Sequence, residues 1–258
     1  MKRSATVVSV IGLVLMLAAP SFAGPTNGAG FYGGRAYYSR IGGYYAGNGG
    51  EFTLKHDGPP GLLLSNHYYA DTTKARDGNA ESFQTFCVEL DEYVAQPMDI
   101  WVSTQFVNGT PGSHAWGGGQ NTNGGDDLNY RTAYLYARFA RGDLPNYAYI
   151  GTVNGLNRAQ TAAALQQLIW VLEEEVSDLN SNAGGITLTQ DQKNLANSWL
   201  QLANQHAGSS LWNVRVLQMY WGNGYKQDQL WYYIPAPAAA LLGVIGLGLV
   251  GWVKRRLA

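Results

Sequence analysis

Residues 86–90 read Phe86-Cys87-Val88-Glu89-Leu90 and contain the only cysteine of the 258-residue chain. Apolar and polar side chains alternate here, which predicts a β-strand. We expect the row of Phe86, Val88 and Leu90 to face the sheet's own core, and Cys87 to face an element packed on the other side. A single thiol needs a partner other than cysteine, unless it is a buried, inert side chain.

The first residues have the three parts of a secretory signal peptide. Lys2 and Arg3 are basic, residues 7–19 are apolar, and Ser21-Phe22-Ala23 is a small-x-small cleavage site. We therefore predict that residues 1–23 are a signal peptide and that the mature chain is exported. The alternative is a retained membrane anchor. Exported proteins usually carry cysteines in pairs, so a lone thiol is unusual in this setting.

The composition excludes some functions and favours others. Residues 24–233 are long enough to form one domain with a sizeable core. The net charge is −1, which gives no electrostatic case for binding nucleic acid. Charged residues make up only 14%, and there are 33 glycines, 17 tyrosines and 8 tryptophans. This composition indicates a loop-rich, partly β, exported domain.

Periodicity predicts an α+β fold: a β-sandwich or barrel-like sheet with an inserted helical segment packed on it. Residues 24–50 lack clear periodicity and are interpreted as loops and edge strands. The predicted strands are 51–55, 83–90, 100–102, 213–220 and 227–234, and the last two form a hairpin. The predicted helices are 128–141, 158–176 and 190–206, capped by Asp127, by Asn157 with Gln160, and by Thr189 with Gln192.

The second predicted helix, 158–176, distinguishes between two neighbouring glutamines. With successive residues about 100° apart, its apolar arc centres on Leu165. Gln166 lies about 100° from that centre, on the flank that also carries Trp170. Gln167 lies at about 200°, which points toward solvent. Only Gln166 is therefore expected to reach a packed sheet, although a glutamine on the flank of a helix is also an ordinary surface residue.

The Phe86-Cys87-Val88-Glu89 segment, followed by Gln166-Gln167-Leu168-Ile169-Trp170, resembles the Cys–Gln thioester domains of bacterial surface proteins. The resemblance covers residues 83–234. Family members commonly read Gln-x-Ala-Ile-Trp, so Leu168 replaces a small residue. The resemblance implies an internal thioester between Cys87 and Gln166, with Phe86, Glu89 and Trp170 in support. Phe86 and Trp170 would shield the bond from water.

The chain ends in three parts: the tripeptide Pro235-Ala236-Pro237, the apolar run 238–253 and the basic tail Lys254-Arg255-Arg256. This layout resembles the PEP-CTERM sorting signal of Gram-negative bacteria, with Ala236 in place of the glutamate of Pro-Glu-Pro. The resemblance implies processing by an exosortase. Residues 234–253 can just span a bilayer, with the basic tail on the cytoplasmic side. We therefore expect 234–258 to be a sorting segment that forms a membrane helix; the alternative is a plain single-span anchor.

These features together predict a binding module rather than an enzyme. The four histidines, His56, His67, His114 and His206, lie in no catalytic signature and in no metal-ligand spacing, so no cofactor or metal is expected. The expected protein is held transiently at the inner membrane and then placed at the cell surface or in the extracellular matrix. There it would attach covalently to a surface or matrix partner. The alternative is a non-reactive structural or glycan-binding matrix protein with a buried cysteine.

Overall fold

The computed structural model describes residues 30–57, 82–90, 94, 97–103, 128–221 and 224–232. The predicted signal peptide (1–23) and the predicted sorting segment (234–258) lie outside these residues. Within the described residues, no helix has the length and apolar character needed to cross a bilayer.

An antiparallel six-stranded sheet forms the frame of the described structure. Its strands lie in the spatial order β10-β9-β6-β1-β4-β5. They are β1 (Gly30–Ser39), β4 (Phe52–Asp57), β5 (Ser82–Thr85), β6 (Met98–Ser103), β9 (Val214–Trp221) and β10 (Gly224–Tyr232). Two short hairpins are added by β2 (Tyr45–Ala46) with β3 (Gly49–Gly50), and by β7 (Thr152–Val153) with β8 (Leu156–Asn157).

The segment after β5 nearly closes this sheet into a barrel. Cys87 forms an isolated antiparallel bridge with Gln229 of β10. Beside it, the Val88 amide donates to the Asp228 carbonyl at 3.1 Å, and the Leu230 amide donates to the Phe86 carbonyl at 3.2 Å. The first and last strands of the spatial order therefore meet at the cysteine, which agrees with the predicted barrel-like sheet.

The barrel has its own apolar core, built from inward side chains of all six strands. The buried members are Ala36, Leu54, Phe83, Met98, Ile100, Val102, Leu217, Met219 and Trp231. The predicted C-terminal hairpin is confirmed as β9 and β10, with a register shift between Lys226 and Gln229. That irregularity lies directly opposite the Cys87 segment.

Strand β1 corrects the prediction that residues 24–50 hold only loops and edge strands. It lies inside the sheet, paired with β4 on one side and β6 on the other. A bulge between Tyr32 and Gly34 interrupts its register, and Gly34 has a φ of 102° that favours glycine. Its apolar periodicity is hidden because the inward position, Ala36, is small, whereas the large Tyr37 faces outward.

The helices of the described chain form one insertion between β6 and β9, as predicted. They are α1 (Tyr130–Arg141), α2 (Arg158–Leu172) and α3 (Gln190–His206). Capping boxes open α2 at Asn157 and α3 at Thr189, and both were predicted. The cap of α1 is Asn129, whose side chain accepts from the Arg131 amide at 3.0 Å. The predicted cap, Asp127, lies outside the described residues.

A second core fills the space between the helices and the outside of the sheet. It contains Phe86 and Val88, and the Phe86 ring meets the Phe139 ring of α1 edge-on at 4.9 Å. The prediction that Phe86 and Val88 face the sheet's own core is therefore wrong. The regular strand ends at Thr85, so strict alternation fails, and Leu90 packs instead against the cluster that contains Cys87, Phe52 and Trp170. Both sides of residues 86–88 are buried.

Candidate functional site

Gln166 of α2 and Cys87 are joined by two hydrogen bonds. The Gln166 Nε2 donates to the Cys87 carbonyl at 2.9 Å, and the Cys87 amide donates to Gln166 Oε1 at 3.2 Å. Both residues are fully buried. The carboxamide thus occupies the place that a neighbouring strand would take beside the cysteine. The two residues predicted to meet, 79 positions apart in the chain, are in contact.

Gln167, the neighbouring glutamine, is buried rather than exposed. Its Nε2 donates to the Ser181 carbonyl at 3.1 Å, in the segment that follows α2. The predicted solvent exposure of Gln167 is therefore wrong. Helix α2 ends at Leu172 instead of Val176, and the chain after it folds back over the face that would otherwise meet solvent. Gln166 and Gln167 are consequently two buried glutamines on different faces of one helix.

Glu89 and Trp170 hold the Cys87 segment against α2 and β10. The Glu89 carbonyl accepts from Trp170 Nε1 at 3.2 Å and from Gln227 Nε2 at 2.9 Å. The Glu89 carboxylate accepts from the Asp228 amide at 2.8 Å. Because Trp170 lies one helical turn after Gln166, its indole fixes the orientation of the helix that presents the carboxamide.

Gln229 is a further side chain at the sulfur that the sequence did not single out. Its Nε2 lies 3.4 Å from Cys87 Sγ as a hydrogen-bond donor. The Gln229 Oε1 is buried and has no hydrogen-bond partner in the described part of the chain. A buried amide oxygen without a partner is costly, and this one lies on the side chain that contacts the sulfur.

Cys87 packs in a buried apolar cluster. Its members are Phe52, Cys87, Ala163, Trp170, Ala183, Ile186 and Leu188. Burial raises the pKa of the Cys87 thiol far above its usual value; the Gln229 hydrogen bond opposes this shift, and the Glu89 charge adds to it. In this state the thiol is neutral at neutral pH. Phe52, rather than the predicted Phe86, is the phenylalanine in this cluster.

The hairpin β2–β3 covers the side chains of Gln166 and Trp170. A Cβ placed on Gly49 would lie 2.7 Å from Gln166 Cγ and 2.9 Å from Trp170 Cη2, so only glycine fits. The Asn48 amide donates to the Gly184 carbonyl at 2.6 Å and ties the hairpin to the chain that follows α2. Backbone therefore packs directly on the Gln166 side chain.

Gly49→Ala is expected to destabilise the domain by about 1–3 kcal/mol, because the added methyl group overpacks the contact with Gln166 and Trp170. Urea unfolding of the two proteins measures the difference. Gly42→Ala is the matched control, since a Cβ there meets nothing within 4 Å. Equal stability losses in both variants would show that the hairpin does not pack tightly on the site.

The histidines and the sorting residues are the remaining candidates from the sequence. No group of three or more potential metal ligands occurs among the described residues. His206, in the last turn of α3, lies 6.2 Å from the Tyr134 ring and is not part of the Cys87 cluster. The sorting residues Pro235, Ala236, Pro237, Lys254, Arg255 and Arg256 are outside the described residues.

The arrangement defines a class: an α+β domain with a nearly closed barrel-like sheet and a buried Cys–Gln contact between sheet and helix. No protein-family model, curated protein or solved structure matches this chain.

Proposed function

We propose that residues 24–233 form an exported binding module whose Cys87 and Gln166 make an internal thioester that attaches covalently to a nucleophile on a partner surface. The observation that carries this proposal is the pair of hydrogen bonds between the Gln166 carboxamide and the Cys87 backbone. They hold the Gln166 carboxamide against the backbone of Cys87, although the two residues lie far apart in the sequence.

Bond formation follows from general acyl-transfer chemistry. The Cys87 sulfur attacks Cδ of Gln166 and forms the S–C bond, the C–N bond breaks, and Nε2 leaves as ammonia with the thiol proton. The Cys87 amide already donates to Oε1, so it is placed to stabilise the negative charge that develops on this oxygen. The product is a thioester that links the barrel to α2.

The same surroundings suit the later attachment step. An amine or hydroxyl attacks the acyl carbon, the C–S bond breaks, and the released Cys87 takes the proton of the nucleophile. The buried apolar cluster limits the access of water to the thioester until that partner arrives. Each chain reacts once, so the module is not a turnover enzyme.

The intact mass of the purified mature domain tests the proposal. A thioester lowers the mass by one ammonia relative to the sequence, whereas the full calculated mass supports the alternative of a non-reactive matrix protein with an inert buried cysteine. Denaturation in the presence of a thiol reagent also distinguishes the thioester from an inert buried cysteine. Only the inert cysteine is then labelled without prior treatment by an amine.

Gln229→Leu is expected to slow methylamine incorporation about 10- to 100-fold, because it removes the donor that stabilises negative charge on Cys87 Sγ. Mass spectrometry of the adduct over time gives the rate. The thiol that methylamine releases should also be alkylated at higher pH than in the parent protein, since the lost hydrogen bond had lowered its pKa.

Gln227→Leu is the matched control for this prediction. Gln227 is a buried glutamine of the same strand, and it donates to the Glu89 carbonyl rather than to the sulfur. An equal change of rate and of alkylation profile in both variants would show that Gln229 acts only through stability.

We also propose that residues 234–258 hold the precursor at the inner membrane until an exosortase-type enzyme releases it to the surface. The support is the order of motif, apolar run and basic tail in the sequence. Truncation after Tyr233 is expected to abolish membrane retention, and removal of Lys254, Arg255 and Arg256 to impair retention or orientation. Fractionation that finds the truncated and full chains in the same place and form would exclude a sorting role.

A further inference from the structure

A cavity of about 400 Å³ lies beside the Cys87 cluster. Its walls come from β1, the β2–β3 hairpin, α2, the chain after α2, and β10. Its lining residues include Tyr38, Arg40, Asn48, Phe52, Trp170 and Gln227. Asn48 is exposed at the rim, whereas Phe52, Trp170 and Gln227 are buried.

The cavity and the Cys87 site share side chains. Phe52 and Trp170 pack in the same apolar cluster as the cysteine. Trp170 and Gln227 both donate to the Glu89 carbonyl, two residues from Cys87. Side chains of the Cys87 cluster therefore form part of the wall between the cavity and the sulfur.

Arg40 is the charged residue among the described residues that line the cavity. Its Nη2 donates to the carbonyls of Gly47 and Gly49, and its guanidinium stacks 3.8 Å from the centre of the Tyr45 ring. Neither Asp nor Glu is among the lining residues, and no carboxylate pairs with Arg40 in the described ranges. Its Nε is buried and has no hydrogen-bond partner there.

A half-buried arginine normally has an anion beside it, because desolvation of an unpaired charge is unfavourable. The hydrogen bonds and the Tyr45 ring hold this guanidinium at the cavity wall without neutralising it. Its field also reaches the site: burial raises the pKa of Tyr38 to about 12, and the Arg40 charge opposes that shift. The Arg40 charge also opposes the rise that burial causes in the pKa of the Cys87 thiol. Arg40, Tyr38 and Cys87 thus share one electrostatic environment.

We infer that this cavity admits the attacking nucleophile and that Arg40 selects an amine or hydroxyl carried on an anionic molecule. The inference rests on the proposed thioester and adds the class of its acceptor. An anionic group held by Arg40 places a nucleophile a few carbon atoms away above Trp170. The nucleophile then attacks the acyl carbon of Gln166, the C–S bond breaks, and Cys87 accepts the proton.

The test compares two amines of similar length, ε-aminocaproate, which ends in a carboxylate, and cadaverine, which ends in a second ammonium group. Adduct formation on the mature domain is followed by intact mass, with rates corrected for the free-amine fraction. At low ionic strength ε-aminocaproate is expected to react about five- to tenfold faster, and salt should reduce the preference. Arg40→Gln should remove it.

Arg35→Gln is the matched control, because Arg35 pairs on the surface with Asp99 and its loss changes the net charge equally. Methylamine, which has no second charged group, reports on the thioester itself. If methylamine adds at the same rate to all three proteins but the preference for ε-aminocaproate is absent or survives Arg40→Gln, the inference is overturned and the thioester stands. If methylamine adds to none of them, the proposed function fails and the inference with it.

Discussion

Methylamine is expected to add at Gln166 and to release one thiol per chain, and Cys87→Ala and Gln166→Ala are each expected to lose this reaction completely. The physical reason is that aminolysis frees Cys87 as it acylates the amine, so neither partner is dispensable. Before treatment, the native protein should not react with a thiol reagent. Intact mass and thiol titration measure the two halves of the reaction independently.

Gln167→Ala is the control, and the structure changes the reason for choosing it. Gln167 is as buried as Gln166, but it donates to the Ser181 carbonyl and does not contact Cys87. The variant should therefore lose stability, by roughly 1–3 kcal/mol for the unpaired carbonyl, and keep the methylamine reaction. A comparison of these two variants separates the chemistry of the site from the packing of α2.

Simple burial is the competing explanation of an unreactive thiol. It predicts no methylamine adduct and a free thiol on denaturation of every variant that retains Cys87. Incorporation that survives in Gln166→Ala but is lost in Gln167→Ala would show that Gln167, rather than Gln166, forms the bond. Either result would refute the chemistry assigned here to the contact between Cys87 and Gln166.

The pairing of Cys87 with Gln166 was predicted from the resemblance of their two motifs to thioester domains, and local helix patterns supported the choice of Gln166. A strand and a helix have known periods, and the capping boxes at Asn157 and Thr189 fixed where two helices begin. The phase of α2 then turned Gln166 toward the sheet. The same helix phase wrongly predicted that Gln167 is exposed to solvent, because the helix is buried on nearly all sides. The chain that covers Gln167 has no periodic signal of its own.

The role of Gln229 and the position at which the sheet closes could not be predicted in this way. Both depend on the pairing of Cys87 with Gln229, which are 142 positions apart, and on a register shift in β10 that no residue pattern marks. The run Gln227-Asp228-Gln229 was the available signal, since three polar residues inside a predicted strand need buried partners. Arg40 and Glu51 were missed for the same reason, because their roles depend on non-local packing.

A buried ion pair anchors the start of the Gln166 helix to the sheet. Arg158, the first residue of α2, donates from Nε and Nη2 to the two carboxylate oxygens of Glu51, at 2.7 and 2.8 Å. Tyr147 donates to the same carboxylate, and the Tyr44 ring lies 3.7 Å from the guanidinium carbon. Glu51 lies between β3 and β4, so this network fixes the hairpin over Gln166 relative to the helix that carries it.

Arg158→Met is expected to lower the free energy of unfolding by about 3–5 kcal/mol, since it leaves the Glu51 carboxylate buried without its cation. That is a large fraction of the roughly 5–15 kcal/mol that stabilises a typical domain. Urea unfolding monitored by tryptophan fluorescence gives the difference. The matched control is Arg35→Met, which removes an exposed pair with Asp99 and should cost less than about 1 kcal/mol.

The double variant Arg158→Met, Glu51→Leu is expected to recover much of that loss, because the cost of the single change comes from the stranded charge rather than from the missing attraction. It should not recover the rate of methylamine addition, because that rate depends on the hairpin and α2 holding Gln166 against Cys87. Apolar side chains at positions 51 and 158 cannot form the two parallel hydrogen bonds that fix the hairpin relative to α2. Full recovery of both stability and rate would mean that the ion pair contributes only to folding and that Gln166 is positioned by Gly49 and Trp170 alone.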